Sequence, residues 1–139
     1  MDRLVLRKCA SLNDGALDLP LDVTSPVSEI DVRMSNEVSG MFLYRSDQCF
    51  PRLRSLLMSQ LNDRTAALLP RGTPALEELI VLDTHHLTGP GFTAISFVPT
   101  LTTIKLYRCF HVQETNVVQF GRMLPHLRSL VLKGTVVIK

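Results

Sequence analysis

The chain contains no tryptophan, and only 6% of its residues are aromatic. Leu, Val and Ile are therefore expected to carry the core, in many thin layers rather than around one aromatic centre. Its three cysteines, Cys9, Cys49 and Cys109, are too few and too widely spaced for a disulfide framework. That scarcity fits a reducing interior, so the expected location is intracellular, cytoplasmic or nuclear. The net charge of +2 is too small for a nucleic-acid footprint. No run approaches the roughly 18 unbroken apolar residues of a membrane helix, so no membrane partner is expected. The opening "MDRLVLRKCASLND" carries charges inside its apolar run, unlike a signal peptide. Neither HExxH nor a pair of CxxC motifs is present. What remains is 45% hydrophobic and 20% charged over 139 residues, enough for one packed domain.

That apolar material is periodic. "FPRLRSLLMSQ" at Phe50 to Gln60 returns as "LPHLRSLVLKG" at Leu124 to Gly134. Aligning on the leucine of "LRSL" gives units starting at 1, 27, 53, 76, 101 and 127, the last incomplete, within a single domain 1–139. The first, fourth and sixth positions are apolar in every unit. They are Met1, Leu4, Leu6; Val27, Ile30, Val32; Leu53, Leu56, Met58; Leu76, Leu79, Val81; Leu101, Ile104, Leu106; and Leu127, Leu130, Leu132. Positions four and six have the period of two of a strand with one buried face. The intervals of 26, 26, 23, 25 and 26 residues leave room for crossovers between parallel strands. A chain of stacked units follows.

The stretches between strands carry helix signals. Asn62 or Asp63 is placed to cap a helix over Thr65 to Leu69, and Thr88 one running from Pro90 through Phe97. Glu114 to Met123 sets Val117, Phe120 and Met123 or Leu124 on one face. Pro51, Pro74, Pro99 and Pro125 each stand two residues before a unit, where proline ends the helix and turns the chain into the strand. The stretch from Asp18 to Val27, with Pro20 and Pro26, reads as an irregular return.

The pattern resembles the leucine-rich repeat, L-x-x-L-x-L-x-x-N/C-x-L. Position nine reads Cys9, Ser35, Leu61, Thr84, Cys109 and Thr135. Position twelve reads Leu12, Val38, Leu87, Val112 and Ile138 in five units. "LVLRKCASLNDGAL", "IKLYRCFHVQETNV" and "CFPRL" resemble the cysteine-containing subfamily. The third unit departs from it, being short and having Leu61 at position nine. The resemblance implies an α/β solenoid: a curved parallel sheet on the concave face, with short helices or irregular returns on the convex face. It also implies protein binding without catalysis. Similar repeats select substrates in F-box receptors of ubiquitin ligases, and no segment here is left over to be an F-box. The chain shows no polar cap at either end, so a fragment of a longer array that stacks end to end with other repeats or with itself is the alternative expectation.

The chemical motifs favour structure over reaction. His85-His86 lacks chelating spacing, since adjacent residues of an extended chain point apart, and in Cys109-x-His111 the cysteine already has a structural role at position nine. A catalytic cysteine needs an accessible, low-pKa site, whereas Cys9 and Cys109 fall at core positions and Cys49 in a return loop. Thr88-Gly-Pro-Gly91 has no following Lys-Ser/Thr and reads as a tight loop before a helix. Arg3, Arg7, Lys8 and Arg33 are interspersed with Glu29 and Asp31, as on a solvated face. No cofactor, no metal and no catalytic residue is assigned.

The expected functional surface is the strand face turned from the core. Position five there reads Val5, Asp31, Leu57, Ile80, Lys105 and Val131, and position seven reads Arg7, Arg33, Ser59, Leu82, Tyr107 and Lys133. Leu57, Ile80, Leu82 and Tyr107 should form an apolar patch, with Arg7, Arg33, Asp83, Lys105, Arg108 and Lys133 in the charged rim. Such a patch has the anatomy of a protein-binding site.

Overall fold

The computed structural model describes residues 3–5, 7, 26–35, 38 and 50–135. The expectations for Met1, Leu6, Lys8, Cys9, Leu12, Cys49 and Ile138, and for most of the Asp18 to Val27 return, lie outside the described residues. Among the described residues, six parallel strands form one open sheet in chain order. They are β1 (Arg3–Val5), β2 (Glu29–Val32), β3 (Ser55–Ser59), β4 (Glu78–Thr84), β5 (Thr103–Cys109) and β6 (Ser129–Lys133). Every strand begins at the third position of its unit, and like positions pair across the sheet. Ile30, Leu56, Leu79, Ile104 and Leu130 form one such row.

One face of the sheet supplies the core. Leu53, Leu56, Met58, Leu76, Leu79, Val81, Leu101, Ile104 and Leu106 are fully buried. Each contributes on the order of 1.5–3 kcal/mol of burial free energy. Leu61 is buried with them, so the departure at position nine is one more core side chain.

Short helices connect the later strands and pack on this face. They are α1 (Asp63–Ala66), α2 (Leu69–Gly72), α3 (Gly89–Ile95) and α4 (Glu114–Met123). The expected helix over Thr65 to Leu69 is two four-residue helices instead. Asn62 caps the first, its Oδ1 accepting from the Thr65 N–H at 2.8 Å. Helix α3 stops at Ile95, short of Phe97, which is 55% exposed. At the end of α4, Leu124 turns inward and Met123 lies outside. Phe92 of α3 meets Phe120 of α4 edge to face, ring centroids 6.3 Å apart.

Thr88 does not cap α3 with its own side chain. Asp63, one unit earlier, does so: its Oδ1 accepts from the Thr88 N–H at 2.7 Å and the Gly91 N–H at 3.0 Å. The Thr88 hydroxyl donates to the other carboxylate oxygen. Thr88 is therefore a donor, and the acceptor that a helix N-terminus requires comes from its neighbour. A Cβ on Gly91 would lie 2.2 Å from Asp63 Oδ1, so glycine is required for this approach.

The four prolines close four equivalent turns. The N–H groups of Leu53, Leu76, Leu101 and Leu127 donate to the carbonyls of Phe50, Thr73, Val98 and Leu124 at 3.1–3.3 Å, with proline second in each turn. Over the next two residues the units join. Glu77 and Glu78 N–H both donate to the Arg54 carbonyl, and Thr102 and Thr103 N–H both donate to the Glu77 carbonyl. The repeated "P-x-L-R-S-L" phrase is this turn and junction.

Candidate partner-binding face

The sheet face opposite the core carries positions three, five and seven, and all the singled-out residues except Asp83 and Arg108, which follow at position eight. Register sets Asp31, Leu57, Ile80, Lys105 and Val131 side by side. A second row holds Ser59, Leu82, Tyr107 and Lys133. Leu57 and Ile80 are 7% and 8% exposed. Both are central in the sheet and offer little surface to a partner. Leu82, Lys105 and Tyr107 are half-buried and Lys133 is exposed, so the accessible part of the patch lies toward β5 and β6.

Charge on this face is unevenly satisfied. At the β2 side Asp31 is 3% exposed and accepts two bonds from the Arg33 guanidinium, at 2.9 and 2.8 Å. Arg7 approaches the same carboxylate at 3.1 Å. Burial alone would raise the Asp31 carboxyl, but the Arg33 hydrogen bonds and the charges of Arg33 and Arg7 outweigh it, and the net direction is down. Arg3 pairs with Glu29 at 3.0 Å. At the strand ends Arg108 donates two hydrogen bonds to Asp83. That bonding holds the Asp83 carboxyl below its usual range, with burial opposing it. Asp83 and Arg108, expected as independent rim charges, thus satisfy each other.

Position eight has a property that residue types did not announce. Met34, Gln60, Asp83, Arg108 and Gly134 occupy it in successive units, and all five have φ between 53° and 64°. The left-handed conformation favours glycine, and only the last is glycine. It turns the chain out of each strand, and in β4 and β5 it sets Asp83 and Arg108 beside one another. A Cβ on Gly134 would lie 3.0 Å from Arg108 Cγ.

Position nine follows inward. The Thr84 hydroxyl donates to the Leu61 carbonyl and accepts from the His86 N–H. The Thr135 hydroxyl accepts from the Cys109 N–H at 3.3 Å. Cys109 is fully buried, and burial pushes its thiol up to about 12. Beyond it, Phe110 stacks on His85, ring centroids 4.2 Å apart and planes 9° from parallel. His85 reads from the sequence only as a candidate metal ligand and its stacking on Phe110 was not expected, although the repeat aligns both at position ten of adjacent units. Among the described residues no three His, Cys, Asp or Glu side chains are placed to hold a metal ion. Among them, too, no helix is long and apolar enough to cross a membrane. No protein-family model matches the chain, and no curated protein matches it.

Proposed function

We propose that this chain is a leucine-rich-repeat solenoid of the cysteine-containing kind, and that it binds a protein partner through the sheet face centred on Leu82 and Tyr107. The observation that carries the reading is the register. It gathers apolar and aromatic side chains from successive strands onto a face that the helices leave open. Tyr107 followed by Arg108 has the residue types of an interface hot spot. Catalysis is not part of the reading. The buried Cys109 thiol, pushed up to about 12, is unsuited to nucleophilic chemistry. An intracellular substrate-selecting role, like that of F-box receptor repeats in ubiquitin ligases, is the most specific form of the proposal. It rests on the pattern alone.

The test is affinity capture from extract of the source cells, using the intact chain and a Leu82→Asp/Tyr107→Ser variant with an unchanged thermal melt. Partners recovered by the intact chain should be lost with the variant. Recovery of the same set by both would defeat the reading. A second reading, end-to-end stacking of repeats, draws on β6: Leu127, Leu130 and Leu132 are half-buried where their counterparts in β3, β4 and β5 are fully buried. Light scattering decides it, since a strict monomer across a concentration series is incompatible with self-stacking.

A further inference from the structure

Resting on that binding face, we infer that its partner is an acidic segment of protein, presenting a carboxylate beside an apolar side chain. The ion pairs already described leave an asymmetric remainder. Glu29, Asp31 and Asp83 are each held by arginine. Lys105 and Lys133 have no ion-pair partner among the described residues. The acidic side chain nearest Lys105 by register, Glu78 on β4, accepts from the Ser55 hydroxyl at 2.8 Å on the opposite side. It is therefore turned away from β5.

The two lysines sit on one face, two positions apart on adjacent strands. Strand spacing and rise place their Cα atoms roughly 8 Å apart, so both ammonium groups can reach one carboxylate. Tyr107 borders both, two residues after Lys105 on β5 and in register with Lys133 on one side and Leu82 on the other. A cationic pair next to an aromatic ring and a leucine matches an Asp or Glu followed or preceded by an apolar residue. Electrostatic complementarity would select the partner and its orientation, and the apolar contacts would hold it. The apolar neighbours and the chain's net charge of only +2 favour peptide over a nucleic-acid backbone.

Random peptides displayed on phage are panned on the immobilised full chain, on Lys105→Glu/Lys133→Glu, and on Leu82→Asp/Tyr107→Ser. The expected result is enrichment of Asp- or Glu-bearing peptides by the wild type. Their binding should weaken roughly tenfold or more on lysine reversal and fall as salt rises. A Lys105→Gln/Lys133→Gln variant, which cannot add repulsion, should show an intermediate loss. Enriched peptides without acidic bias, yet sensitive to Leu82→Asp/Tyr107→Ser, would overturn the acidic partner and leave the binding face standing. Peptides insensitive to every variant, or no enrichment at all, would overturn both. Binding of a single-stranded RNA oligonucleotide that is lost with the lysines, with no acidic peptide enriched, would overturn the proposal in favour of nucleic acid.

Discussion

Single residues in this chain act mainly across units rather than within them. Asp63 serves the helix of the following unit, so Asp63→Ala should cost about 1–2 kcal/mol as a lost helix cap, read as a lower urea midpoint at unchanged slope. Gly134 differs from its four counterparts in meeting the left-handed turn without a side chain. Gly134→Ala should destabilise by about 1 kcal/mol, whereas Gln60→Gly should stay within about 0.5 kcal/mol of wild type, the relief of strain offsetting the added chain entropy. The Asp31 carboxyl is lowered in the folded state, so its contribution is complete above about pH 4 and fades as pH falls through the lower folded value. Urea melts from neutral to acid pH should show Asp31→Asn less stable than wild type near neutrality. The gap should shrink below pH 4, and a constant gap would contradict the pairing. Cys109 should resist iodoacetamide in the folded chain and react on unfolding, as peptide mapping by mass spectrometry would reveal.

At the scale of elements, the strands were legible from sequence because their signal is doubled. Period-two alternation marks each one, and the recurrence of Leu56, Leu79, Ile104 and Leu130 at fixed offsets sets the register between them. Helix α4 was legible to the residue because Val117, Phe120 and Leu124 mark an apolar stripe. The helices α1 and α2 were not: their four-residue lengths are too short to display a period, and tertiary packing around Ala66 and Leu69 decides where they break. The cap of α3 was half legible for a related reason: Thr88 stands at the N-cap position as expected, but its side chain is not the acceptor. Local sequence presents Thr88 at the N-cap, while the acceptor stands 25 residues earlier on a neighbouring turn. On the proposed binding face, the residues were legible but their exposure was not, since sequence periodicity says which face a side chain takes and not how far Leu57 and Ile80 are buried there. The left-handed position eight was hidden because Met, Gln, Asp and Arg carry no sign of it. The prolines act on the unfolded chain as well as on the turn. Pro74→Ala should lower stability by about 0.5–1 kcal/mol, visible in the thermal midpoint.

Across the whole molecule, cohesion is nearest-neighbour, and each layer is as secure as the two that flank it. Leu79→Ala, in a fully buried layer, should cost about 2–5 kcal/mol, and Leu130→Ala, half-exposed in β6, distinctly less. Amide exchange should be slowest in β4 and β5 and faster in β6, a gradient that a single all-or-none unit would not display. The bond from Thr88 and Gly91 back to Asp63 has a temporal meaning as well. A ribosome makes the carboxylate before it makes the helix that needs it. Helix α3 therefore emerges facing a partner already in place, and its layer can be laid down in the order of translation. A circular permutant that synthesised Thr88 ahead of Asp63 would reach the same contacts, but its α3 would wait uncapped until the last of the chain arrived.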